Sequence, residues 1–437
     1  MKKYIFMAVA AIAVLSSCSK EDDNNASLND SGAFYATIED GSTRTTLGSD
    51  KKVLWSTGDK ISINGEVYTL SDGEGTTHAT FTGESVSGST FNAYYPADLY
   101  NGGTATLPAE QTYEAGKISN LPMYAQSTTH DLKFANLCGV LAITVNSSDF
   151  SSVNSIEVKS DKQMNGAFTA SADGTLTFNS KTLEAADKKV TLNFTSAKTI
   201  SSSETFYIAV PANAAHNFII KVTGNSKTKA MATKAASGIN VERNKIYSFT
   251  FAENAIQLWA NGPYFALVNL GATNPGDVGG YYAWGATTTQ ENYVLSNAPY
   301  SNGSTYTKYT STDGKTVLES GDDAATVTWG GSWRMPTNAE LNSLCQLNHT
   351  WTTQNSHDGF QISGSGDYSG NSIFLPAAGT LIETHLDSSD CGFYWSSSLN
   401  TSNTGNAMGI DFWSGNLTTD DGYCRYNGRS IRPVLSE

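Results

Sequence analysis

Apolar and polar residues alternate in short runs along most of this chain, the period-two pattern of strands with one buried face. Phe34-Tyr35-Ala36-Thr37-Ile38, Lys60-Ile61-Ser62-Ile63, Leu141 to Val145, Val190 to Phe194, Phe206 to Val210 and Phe218 to Val222 are the clearest cases. Asp-Gly pairs at 40–41, 72–73, 173–174, 313–314, 358–359 and 421–422 supply the positive φ that tight hairpins require. None of these aspartates belongs to an EF-hand pattern, so turns are expected rather than calcium loops. Helical signals are few. Thr337 and Glu340 form a capping-box pair ahead of Leu341, Leu344 and Leu347, which predicts one amphipathic helix there. Composition changes after Ile246 to Phe251: Trp55 alone precedes Asn254, and seven tryptophans follow it. The pattern therefore predicts a mainly β chain. Two tandem antiparallel β-sandwiches, at 33–148 and 149–252, are followed by an α+β module at 256–437.

A length of 437 residues calls for two or three cores, and the hydrophobic content of 39% suffices to fill them. The net charge is −14, and residues 255–437 hold 6 Lys and Arg against 16 Asp and Glu. That surface repels nucleic acid and anionic headgroups, so no nucleic-acid partner is expected. Cys138 and Cys345 lie in apolar contexts and read as core residues, while Cys391 and Cys424 are the candidates for a disulfide in an oxidising envelope. The six histidines have no zinc spacing, and no nucleophile elbow, P-loop or dinucleotide fingerprint is present. No metal, cofactor or catalytic residue is expected. Asp322-Asp323 and Asp387 with Asp390 read as solvated loop acids, although carboxylate pairing for glycoside hydrolysis is a spatial property that sequence leaves open.

At the N-terminus, Lys2-Lys3, an uncharged run from Tyr4 to Leu15 and the small pair Ser16-Ser17 precede Cys18. The run is too short to span a bilayer and has the form of an export signal. Leu15-Ser16-Ser17-Cys18 resembles a bacterial lipobox. That implies removal of residues 1–17 and an acyl anchor on Cys18 that ties the chain to the outer membrane. Ser19-Lys20-Glu21-Asp22-Asp23 resembles the acidic tag of Bacteroidota lipoproteins carried to the cell surface. Residues 18–32, polar and without periodicity, read as a disordered tether.

Between 33 and 252 the ordered segments Phe34-x-Ala36-x-Ile38, Thr43-Arg44-Thr45, Trp55-x-x-Gly58-Asp59-x-Ile61, Tyr94-Tyr95-Pro96, Leu107 to Gln111, Leu121 to Ala125, Leu132 to Gly139, Phe206 to Pro211 and Arg243-Asn244-Lys245-x-Tyr247 resemble the fimbrillin family of Bacteroidota. The resemblance implies a two-sandwich fold. It also implies assembly with other fimbrillin subunits by strand exchange, after proteolysis at an arginine near the N-terminus. Arg44 stands at that position. Its other reading is a surface hairpin arginine.

Residues 256–437 resemble the Fibrobacter-type major paralogous domain, related in fold to the C-type lectin-like and formylglycine-generating-enzyme group. The segments are Leu258-Trp259-Ala260, Val268 to Ala272, Gly280 to Gly285, Trp333 to Thr337, Phe374 to Gly379, Tyr394 to Ser397 and Ser430 to Val434. The reactive cysteine pair of the enzymes has no counterpart, since Cys391 and Cys424 are far apart in sequence. A binding role is expected instead, with a glycan or surface protein as ligand. Trp413, Tyr423, Tyr426 and Asn406 are the candidate contacts, and Trp284, Trp329, Trp333 and Trp395 are expected in the core. The expected function is a surface-displayed adhesin or accessory or tip fimbrial subunit. The alternatives are glycan capture for a nutrient-uptake system without pilus assembly and, third, a glycan- or sulfatase-modifying enzyme.

Overall fold

The computed structural model describes residues 32–39, 54–115, 118, 121–212 and 214–435. Cys18, Arg44, the signal segment and most of the tether lie outside them. The described residues form a mostly β chain in which the three predicted modules are interleaved.

Seven strands close on themselves in the first module, in the order Ala33–Ile38, Asp131–Asn136, Met123–Ser127, Phe91–Tyr95, Lys60–Ile63, Glu66–Asp72 and His78–Thr82. Ala33–Ile38 runs parallel to Asp131–Asn136 and antiparallel to His78–Thr82, so it closes the sheet. Its alternation turns Phe34, Ala36 and Ile38 inward, where each is almost wholly buried. Trp55 sits beneath, edge-on to Phe81, Tyr95 and Phe134 at 4.9, 5.3 and 5.6 Å. Asn64-Gly65, with φ of 52° and 100°, turns the hairpin between Lys60–Ile63 and Glu66–Asp72. Asp358-Gly359, by contrast, lies within the strand His357–Ser363, and Asn355-Ser356 makes the turn just before it.

The long strand Cys138–Asn146 connects two cores. Cys138 and Val140 pack into the first, and Leu141, Ile143 and Val145 into the second. The change of core thus falls inside this strand, ahead of the 148/149 division expected from sequence. It pairs antiparallel with Ser203–Pro211 and parallel with Ile246–Thr250. The opposing sheet runs through Lys189–Thr199, Ser152–Ser160, Phe218–Gly224 and Lys227–Ala232.

That second sheet does not stop at the sandwich. It continues through Ala255–Gln257, Tyr264–Ala266, Val434–Leu435 and Trp333–Arg334, and at its other edge Glu110–Thr112 pairs parallel with Lys189–Thr199, which makes nine strands in all. Ala230 pairs with Ala255, and the Asn254 side chain extends the ladder by accepting from Ala232 N (2.9 Å) and donating to Ala232 O (2.8 Å). Ile219, Ala230 and Ala232 share one core with Ala255, Tyr264, Trp329 and Trp333. The compositional boundary at 252–256 is therefore bridged by a common sheet and a common core.

The third module adds the meander Gly392–Leu399, Asn406–Trp413, Asn416–Cys424 and the sheet His349–Gln354, His357–Ser363, Ser372–Pro376. The predicted helix spans Asn338–Cys345 with both capping-box bonds in place. A second, short helix, Ala324–Trp329, is capped by Asp323, whose carboxylate accepts from Thr326 N (3.0 Å). The solvated reading of Asp322 and Asp323 is corrected here, since both are buried. Asp322 accepts from the hydroxyls of Tyr300 and Tyr309 and from Lys308 Nζ. Burial works to raise its pKa, but these donors outweigh it and the net shift is downward.

Candidate functional site

Three arginines near the C-terminus enter the core of the third module: Arg425, Arg429 and Arg432 are each at most 1% exposed. Arg425 is stacked on Tyr306 (3.8 Å) and lies over Trp284 (4.8 Å) and Tyr309 (5.8 Å), an aromatic cage for its guanidinium. Its Nη1 donates to the carbonyls of Tyr309 (3.1 Å), Lys308 (3.2 Å) and Thr404 (3.2 Å). Burial lowers its pKa from 12.5 to about 10, so it stays cationic at neutral pH. One side chain thus ties the 304–310 loop to the 404–406 loop.

Between those loops lies an open pocket of about 460 Å³, walled by Tyr306, Asn406, Cys424, Tyr426 and Leu295. The Tyr306 hydroxyl is buried and has no hydrogen-bond partner among the described residues. Burial pushes its pKa up to about 12, so it remains a neutral donor. The Tyr426 hydroxyl is also shifted upward, first by a hydrogen bond with Cys424 and then by burial. Asn406 donates Nδ2 to Gly422 O (2.8 Å), which holds the pocket floor to the neighbouring strand. Ring faces beside an unmet phenol suit a ligand with both apolar and hydroxyl or amide surface.

Of the candidate residues, the structure brings Asn406 and Tyr426 together in this pocket. Trp413 is exposed at 47%, as its polar neighbours suggested, but it sits at the opposite end of Asn406–Trp413, about 23 Å away at strand rise. Tyr423 is half-buried and lies outside this pocket, its ring over Arg429 (3.5 Å) and edge-on to Phe393 (5.7 Å). The Cys391–Cys424 disulfide is corrected: both are free thiols. Gly392 pairs with Phe412 at one end of the middle strand and Cys424 with Asn406 at the other, a separation no disulfide spans. Trp284, Trp329, Trp333 and Trp395 are buried as expected. Sequence reasoning missed Tyr306 and Arg425. The available signal was an aromatic cluster, Tyr300, Tyr306 and Tyr309, and a cation inside the run Tyr423-Cys424-Arg425-Tyr426. Among the described residues no three His, Cys, Asp or Glu side chains converge as a metal site, and no helix is long and apolar enough to cross a membrane.

The described residues form a mostly β chain with a loop-walled pocket within residues 256–435. No family model matches the sequence, and no curated protein matches it. Among solved structures, a fimbrial protein from Bacteroides ovatus is similar at 12% identity over 94% of this chain and 100% of its own, with a TM-score of 0.26. A candidate cell adhesion protein from the same organism is similar at 16% identity over 51% and 92%, with a TM-score of 0.34. The tip fimbrial protein Mfa3 from Porphyromonas gingivalis gives 9% identity over 51% and 96%, with a TM-score of 0.23.

Proposed function

We propose that this chain is a lipid-anchored surface protein, an adhesin or accessory or tip fimbrial subunit, that presents its third module as a binding head. The observation that carries the reading is the nine-stranded sheet, which fuses the head to the second sandwich without a hinge at 252–256. A binding head held this way transmits load to its anchor. The fimbrillin-like segments and the lipobox-like Cys18 support delivery to the cell surface. Ala33–Ile38, the strand ahead of Arg44, completes the closed sheet, so cleavage at Arg44 followed by strand exchange would open the groove that Phe34, Ala36 and Ile38 fill. The ligand is a glycan or a surface protein engaged at the Tyr306–Tyr426 pocket.

The test is retention of the full chain on arrays of mucin glycoproteins and purified polysaccharides, beside Tyr306→Phe, which keeps the ring over Arg425, and Tyr426→Ala. Retention that both variants lose while their melting curves stay unchanged supports the reading. Retention unchanged in both rejects the pocket.

A further inference from the structure

A larger cleft lies where the head meets the second sandwich, about 740 Å³ in volume. A neighbouring hollow of about 390 Å³ shares Lys221, Gln257, Tyr264 and Tyr368 with it, so the two form one trough. Its floor is the shared sheet: Lys221 comes from Phe218–Gly224, Gln257 and Tyr264 from the hairpin Ala255–Gln257, Tyr264–Ala266.

Trp259 stands in the loop of that hairpin, half-exposed and fixed in place. Its indole lies so close over Gly262 that a Cβ there would meet ring atoms at 2.5 to 2.8 Å. Gly262 N donates to Trp259 O (3.1 Å), Gln257 Nε2 donates to Gly262 O (2.9 Å), and Phe265 lies against the ring at 5.6 Å. Tyr368 enters the same trough from the glycine-rich segment Gly364 to Gly370. That segment is docked on the hairpin: Ser365 N donates to Leu258 O (2.8 Å), and Asn371 Nδ2 donates to Gln257 O (2.8 Å). The Trp259 ring and the segment that carries Tyr368 are therefore held before any ligand arrives, which reduces the ordering cost of binding.

The remaining lining selects the ligand class. Only Pro263 and Ala339 are aliphatic in the larger cleft, so a lipid or an apolar peptide finds little surface to bury. The amides of Gln257 and Asn261 and the hydroxyl of Ser343 supply donors and acceptors instead. Lys221, Lys227 and Arg334 are matched in number by Glu253, Glu340 and Asp367, and Arg334 is already bound by both Glu340 oxygens. Preset ring faces, neutral hydrogen-bonding groups and balanced charge are the requirements of a sugar chain. We infer that this trough is a binding site for a neutral polysaccharide, distinct from the loop pocket and shared between the second and third modules.

The experiment is affinity electrophoresis of the full chain through gels containing xylan, glucomannan, mixed-linkage β-glucan, starch or galactan. At least one of these is expected to retard the protein. Trp259→Ala and Tyr368→Ala should each weaken that affinity about tenfold or more. Ser343→Trp, at an exposed helix position, should block the cleft without changing the melting curve. Tyr426→Ala should leave the retardation intact. The inference is overturned if none of the five polysaccharides retards the chain, or if the retardation survives all three cleft variants. It is equally overturned if only Tyr426→Ala removes the retardation, a result that would instead uphold the loop pocket.

Discussion

Replacing Arg432 with Met tests how the third module is held together. The guanidinium is 1% exposed and donates Nε to Asn269 Oδ1 (2.8 Å), Nη2 to Phe374 O (2.8 Å) and Nη1 to Ala266 O (3.2 Å). It therefore joins the shared sheet, through Ala266, to the Ser372–Pro376 strand. Asn269 extends the link, donating to Val278 O (3.0 Å) and Tyr394 OH (2.9 Å). Burial lowers the Arg432 pKa from 12.5 to about 10, the sign of a charge placed in the core at a cost. Methionine removes that cost but leaves three buried acceptors unmet, at about 1–3 kcal/mol each. After the desolvation credit of several kcal/mol, a net loss of about 3 kcal/mol is expected. For a module of this size that lowers Tm by about 6–12 °C. Tryptophan fluorescence reads this module almost alone, because seven of the eight tryptophans follow residue 254. Calorimetry supplies the enthalpy. Arg432→Lys keeps the charge but not the three-way fork, so it should be as damaging as Met. A loss below about 1 kcal/mol for Met, or full rescue by Lys, would refute the reasoning.

Three further outcomes follow from local chemistry. His216 is wholly buried, stacked on Phe218 and bonded to Ser160 Oγ (2.8 Å); burial lowers its pKa, opposed by Asp161 and Pro211 and assisted by Lys162. The unfolded chain thus binds a proton that the folded chain resists. The second sandwich should be at full stability above pH about 6.5 and lose it as pH falls below, and His216→Phe should flatten this slope in Tm measured from pH 7.5 to 5. Mass-resolved maleimide labelling of the native protein, with Cys18 replaced, should modify Cys391 and Cys424 and spare buried Cys138 and Cys345; a Cys391–Cys424 disulfide would appear as neither being labelled without reductant. Glu39 at the end of the first strand accepts from Arg243 (2.6 Å) and from the backbone of Asn136 (2.6 Å), so Glu39→Ala should speed amide exchange in Ala33–Ile38 while leaving Gly392–Leu399 unchanged.

Local pattern carried much of the architecture. Phe34, Ala36 and Ile38 alternate because one face of their strand is core, and Thr337 with Glu340 marks a helix start because both partners lie within one turn. Trp413 was legible as exposed from its polar neighbours. What escaped depends on contacts far apart in sequence. Asp322 looks solvated until Tyr300, Lys308 and Tyr309 close over it. The change in composition at 252–256 is real, yet the pairing of Ala230 with Ala255 carries the sheet straight across it. Asn406 and Tyr426 were found by residue type, but Tyr306, a hundred positions earlier, completes their pocket only through the Arg425 cage. Alternation along its strand turns Tyr423 away from that pocket and towards Arg429.

Staining of intact cells decides whether the third module is displayed outside the cell. An antibody raised to residues 256–435 should label unpermeabilised cells that carry the chain, and Cys18→Ala should remove the label from the cells. Labelling that requires permeabilisation in the wild type would contradict the account.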